Sequence, residues 1–202
     1  MDASKRRLNP YIGPNSLSLW PNGIIPIDFT TGYTGSYTFP RTLFNAVVNE
    51  FRSKTDIRII ERTNETDYIE MYPGTSCSSI VGKSLNGGKQ VLSFPIGCWS
   101  ISIFTHQIFH ALGSWDTERR SDRDEHVTIL YENIRPGFES NFAILPTILT
   151  CGCYDCSSSM HSFPTHWSIN GLPTIEAKDP TSCIIERNAT SPLSINDINC
   201  IQ

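Results

Sequence analysis

Apolar residues recur at two periods in the first half of the chain, and each period points to an element. After the turn Trp20-Pro21-Asn22-Gly23, residues 24–29 (Ile-Ile-Pro-Ile-Asp-Phe) read as a short strand. Phe44, Val47, Val48 and Phe51 fall at i, i+3, i+4 and i+7, one face of a helix predicted over 40–52, and Pro40 suits its first turn. Residues 56–60 and 68–72 read as strands separated by the polar stretch 62–67. A loop-rich stretch, 74–88, precedes another strand at 90–94. Ile101, Phe104, Ile108, Ala111 and Leu112 make the buried stripe of a second helix over 100–112. Gly113 is placed to end it, because glycine enters the left-handed conformation cheaply. Beyond Gly113 no period persists and the chain reads as irregular. Strands and helices followed by a loop-dominated half indicate an α+β fold, with an internal boundary at Gly113.

The length of 202 residues fits one domain with ample core. A net charge of −4 supplies no basic footprint, so no nucleic-acid partner is expected. No apolar run approaches the ~18 residues of a membrane span. Seven cysteines and two glycosylation sequons, at Asn64 and Asn188, together favour an oxidising, extracellular compartment and a secreted protein. An odd cysteine count leaves at least one thiol free, intermolecular or otherwise bound. Residues 1–7 carry Lys5-Arg6-Arg7 and no apolar segment. They read either as a solvated basic tail or as a propeptide remnant ending at a processing site before Leu8.

Chemistry concentrates in His106-Gln107-Ile108-Phe109-His110-Ala111-Leu112-Gly113-Ser114-Trp115-Asp116. Histidines four apart on a helix stack on one face, so His106 and His110 can reach one metal ion. Gly113 allows a sharp turn that returns a third ligand, Asp116. The layout is H-E-x-x-H-x-x-G-x-x-H of the metzincins with two substitutions.

Further segments carry the resemblance along the chain. Arg120-Ser121-Asp122-Arg123-Asp124-Glu125-His126-Val127-Thr128-Ile129 resembles R-x-D-R-D-x-Y-V-T-I of the astacin family. Tyr154-Asp155-Cys156-Ser157-Ser158-Ser159-Met160-His161 resembles its Met-turn. Trp20 to Pro26, Glu132-Asn133-Ile134, Asn141-Phe142, Asn170 to Ile175, and Leu193-Ser194 with Asp197-Ile198 continue the match, roughly from Leu8 to Cys200. The resemblance implies a two-lobed metzincin fold around a cleft. Residues 8–113 would form the upper lobe, with a twisted sheet and the zinc-binding helix. Residues 114–202 would form the lower lobe, with the third ligand and the Met-turn. It further implies a peptide or protein substrate lying along the sheet edge, and a zinc ion that polarises the scissile carbonyl and acidifies a bound water. A glutamate beside the first histidine takes that water's proton.

Four positions depart from the family pattern. Gln107 stands at the general-base glutamate, and a carboxamide cannot carry a proton at neutral pH. Asp116 stands at the third histidine; a carboxylate is a legitimate zinc ligand, though a shorter one. Ser162 stands at the tyrosine after the Met-turn that serves as a fifth ligand or as a donor to the reacting oxyanion. Thr117 stands at the glutamate that receives the mature N-terminus. The fold-shaping residues Gly113 and Met160 are kept. Three readings follow: a secreted astacin-like domain with weak or no proteolysis that keeps a peptide-binding cleft; an active zinc metalloendopeptidase with a His-His-Asp site; and a structural or signalling module without metal.

The resemblance pairs Cys77 with Cys98, worth about 3 kcal/mol in the chain-entropy model. The family partner of Cys200 is replaced by Asp56, which leaves Cys183 as a candidate partner. Cys151-Gly152-Cys153-Tyr154-Asp155-Cys156 has three readings: a local disulfide network, a second or displaced metal site, or a reactive or intermolecular thiol. His126 and His166 read as surface residues and His161 as structural.

Overall fold

The computed structural model of the chain describes residues 19–30, 32–33, 38–146, 148, 151–186 and 192–201. The expectations for residues 1–7, Leu8 and Asn188 lie outside these. The isoleucine run after Gly23 forms strand β1 (Ile24–Asp28), with Ile25 and Ile27 fully buried. The amphipathic stretch becomes helix α1 (Arg41–Lys54), two residues longer at its end than the predicted 40–52. Thr55 stops it, where both its N–H and its hydroxyl donate to Phe51 O at 2.8 Å. Strands β2 (Arg58–Glu61), β3 (Tyr68–Tyr72), β4 (Ser78–Ser79) and β5 (Lys89–Ser93) complete a five-stranded sheet of order β2-β1-β3-β5-β4. All neighbours run parallel except β4, which pairs antiparallel to β5 at the edge. The strand over 56–60 thus begins later than expected, because Thr55 and Asp56 are spent on the corner after α1.

Helix α2 (Ile101–Ala111) packs against α1 and the edge strand β4. Ser100 caps its start, its Oγ accepting from Ile103 N at 3.1 Å; such a cap is worth about 1 kcal/mol. Phe104, Ile108 and Phe109 enter the main core with Phe44, Val47 and Phe51 of α1 and Ile69, Met71 and Leu92 of the sheet. Each of these large side chains contributes roughly 1.5–3 kcal/mol by leaving water. At the far end of α2 the Trp20 indole donates to Ala111 O at 2.9 Å, satisfying one of the last carbonyls of the helix.

The second half is more ordered than its sequence suggests. Strands β6 (Val127–Ile129) and β7 (Ile175–Ala177) pair antiparallel. They cover a smaller core of Val127, Ile134, Phe142 and Ile175. Helix α3 (Ile195–Ile201) returns to the larger core, where Leu193, Ile201 and Met160 are buried. Three-residue strands and a seven-residue helix are too short for a period to register. The architecture is the α+β, two-lobed arrangement expected.

Cys77 pairs with Cys98 as expected. The expected Cys183–Cys200 bridge is not formed. Cys200 pairs instead with Cys151, because α3 brings it against the loop before Met160, and Cys183 pairs with Cys156 in the smaller core. The C-x-C-x-x-C segment is therefore neither a local disulfide network nor a thiolate cluster for metal: its outer cysteines reach distant partners. Cys153 is left as an exposed free thiol.

Candidate metal centre

One turn of helix separates His106 from His110, and their rings meet edge to face with centroids 4.5 Å apart. His106 Nδ1 lies 2.9 Å from Ser159 O and His110 Nδ1 lies 2.9 Å from Ser114 O. A carbonyl oxygen only accepts, so each Nδ1 carries the proton and each Nε2 presents a lone pair. Gly113, at φ +104°, makes the turn that a side-chain-bearing residue would make only under strain. Ser114 N then donates to Phe109 O, and the chain doubles back toward the helix. That return brings Asp116 Oδ1 to 3.4 Å from His106 Nε2 and 3.6 Å from His110 Nε2. The shorter aspartate side chain therefore reaches. The three donors lie within 4.8 Å of one another and form the sole such cluster among the described residues.

The turn at Ser159 and Met160 touches this group through His106 and the chain beside Asp116. Thr117 N donates to Met160 O at 2.9 Å, joining the turn that carries Asp116 to Met160. Gln107 is buried, and its Oε1 has no hydrogen-bond partner among the described residues. Ser162 is buried rather than open to the cluster: its N donates to Glu118 Oε2 at 3.1 Å and its Oγ lies 3.0 Å from His166 Nδ1. His166 is half-buried and stacked on Trp167, a partly covered surface position, because the 163–167 turn folds it back onto Ser162. His126 is likewise half-buried, stacked on Tyr154 with centroids 4.6 Å apart. His161 lies buried between the Tyr154 hydroxyl, 3.0 Å from its Nε2, and Ser162 O, 2.9 Å from its Nδ1.

Glu118 was not singled out by sequence. It is fully buried one residue past Thr117, in the short helical turn Thr117–Arg119. Burial pushes its pKa up, seconded by the Asp116 charge, against the opposing pull of His161 and the Ser162 hydrogen bond. An acid directly after the substituted Thr117 was the available signal.

The profile of the astacin peptidase family matches residues 14–201. The chain belongs to the astacin family. It is 36% identical over 191 residues to zinc metalloproteinase nas-15 of Caenorhabditis elegans, covering 93% of this chain and 33% of that protein. To embryonic protein UVS.2 of Xenopus laevis it is 38% identical over 187 residues, covering 90% and 36%. The chain thus spans about a third of the length of these relatives. Among solved structures, high choriolytic enzyme 1, a hatching enzyme zinc-protease of the medaka Oryzias latipes, superposes with a TM-score of 0.77 at 34% identity. That match covers 92% of this chain and 91% of the other. Myroilysin shares the fold at a TM-score of 0.52 and 18% identity.

The donor set fits the ion of its zinc-dependent relatives. Four-coordinate zinc holds nitrogen and carboxylate donors at about 2.0–2.2 Å, which spaces tetrahedral donors about 3.3–3.6 Å apart. The two His–Asp separations fall in that range. Two histidines and one carboxylate are also an established zinc set.

Proposed function

We propose that this is a secreted astacin-like domain that holds zinc through His106, His110 and Asp116 and binds peptide or protein segments in its cleft, with weak or no proteolytic activity. The observation that carries this reading is Gln107 beside an otherwise converged ligand cluster. Its Oε1 is buried and without a partner among the described residues. A carboxamide at this position cannot take the proton of a metal-bound water. Zinc, when bound, supplies a Lewis acid and lowers the pKa of its water. Proton removal and delivery to the leaving amine remain the protein's task, and positioned acid–base groups are typically worth about 10²–10⁴-fold. Ser162 adds to the deficit, with its hydroxyl turned to His166.

The domain divides at Gly113 in this reading, with 8–113 above the cleft and 114–202 below. The three disulfides and the exposed Asn64 sequon support an extracellular location. No helix among the described residues is long and apolar enough to cross a membrane. The alternative of an active His-His-Asp endopeptidase draws on the same cluster, and the metal-free module is disfavoured by it. Metal analysis after equilibration with zinc and removal of excess separates the metal-free module from the two zinc-holding readings. About one ion per chain, lost in Asp116→Ala, is the expected result; a stoichiometry near zero would overturn the metal assignment.

A further inference from the structure

His106 owes its orientation to a carbonyl on the Met-turn, and that turn is held by a buried group remote from the metal cluster. Asp197, in α3, is 1% exposed. Its Oδ1 accepts from Ser158 Oγ at 2.6 Å. Its Oδ2 accepts from Ser159 N at 2.8 Å, Ser159 Oγ at 2.7 Å and Ser194 N at 3.1 Å. Asp197 N donates in turn to Ser194 Oγ at 3.0 Å, so Ser194 and Asp197 close a reciprocal cap on α3. Ser158 Oγ also accepts from Met160 N at 3.0 Å. One carboxylate therefore grips two successive residues of the Met-turn, and the carbonyl of the second is the partner of His106 Nδ1.

We infer that Asp197 is a positioning residue for the metal centre, acting through Ser159 to hold His106 as the Nδ1–H tautomer with Nε2 turned to the ion. The ligand His110 does not depend on it, since its own Nδ1 partner, Ser114 O, belongs to the turn after α2. The Cys151–Cys200 disulfide tethers α3 three residues from Asp197 and so secures the grip from the other side. Partners beyond the direct ligands typically change metal affinity 10–100-fold when removed.

This inference rests on the zinc reading for its consequence, but not for its first test. In metal-free protein above neutral pH, long-range proton–nitrogen NMR should show His106 as the Nδ1–H tautomer. In Asp197→Asn the His106 signal should move toward a mixture of tautomers while His110 stays unchanged. Zinc affinity, measured by competition with a chromogenic chelator, should fall about 10–100-fold. A folded Asp197→Asn protein with the wild-type His106 tautomer and unchanged affinity would overturn the inference. So would a lowered unfolding midpoint with the tautomer intact, since that marks a purely structural role. If Asp197→Asn does not fold, Ser159→Ala decides: it removes one of the four donors, and a smaller tautomer shift in the same direction supports the inference while none refutes it. Wild-type protein that shows the tautomer but takes up no zinc counts against the zinc reading alone.

Discussion

Arg123 braces the turn that carries Asp116, and its removal has a calculable cost. The guanidinium is buried. Nη1 donates to Glu118 O at 2.9 Å and to Phe142 O at 2.6 Å, and Nε donates to Asp124 Oδ1 at 2.6 Å. Glu118 lies two residues beyond Asp116, so this one side chain ties the Asp116 turn to the smaller core. Arg123→Met keeps much of the aliphatic stem and removes the donors. Hydrogen bonds to charged groups are worth about 1.5–3 kcal/mol each, and the two carbonyls stay buried without them. The expected loss is about 3–6 kcal/mol. The Asp124 pair adds little, because its carboxylate side is largely exposed. At about 2–4 °C per kcal/mol for a domain of this size, the midpoint should fall on the order of 10 °C. Thermal unfolding followed by circular dichroism measures that shift, and urea unfolding, with disulfides intact, measures the free-energy loss. Arg123→Lys, which can reach one carbonyl, should lose about half as much. A loss below about 1 kcal/mol for Arg123→Met would refute the bracing argument.

Other outcomes follow from particular groups. Thiol titration of the native, non-reduced protein should give one reactive group, abolished by Cys153→Ser; two or more would contradict the three bridges. Asp179 accepts from the Thr181 and Ser182 hydroxyls, which lower its pKa to about 2. A depressed carboxylate favours the fold above its unfolded value, and that support fades as pH falls from about 4 through about 2. Carbon NMR titration should find this midpoint, and Thr181→Ala should raise it; an ordinary carboxylate midpoint in the wild type would contradict the turn. Expression through a secretory pathway should place a glycan on the exposed Asn64, read as a mass shift absent in Asn64→Gln.

The metal cluster was legible because its geometry is local. His106, His110, Gly113 and Asp116 span little more than three helical turns' worth of chain, and helix periodicity plus one glycine places them. The same holds for α1, whose stripe from Phe44 to Phe51 marks its buried face. What the sequence did not disclose is held by long-range contacts. Asp197 meets Ser159 across 38 residues and Cys151 meets Cys200 across 49, and no periodicity reports such pairings. The Cys183–Cys200 expectation failed for that reason: elimination among cysteines cannot stand in for where α3 docks. Ser162 and His166 are four apart, yet their contact depends on a turn that binary patterning does not encode. β6 and β7 pair residues far apart in the chain, Val127 with Ala177 and Ile129 with Ile175, in strands of three residues.

In the proposed function Gln107 leaves an astacin framework without its base. The decisive measurement is a peptidase assay, with casein and gelatin, of zinc-equilibrated wild type beside a variant carrying Gln107→Glu, Asp116→His and Ser162→Tyr. Restoring the acid–base group should raise turnover by about 10²-fold or more, from a wild-type rate at or near background. Wild-type cleavage at a rate close to that of the restored variant would contradict the account.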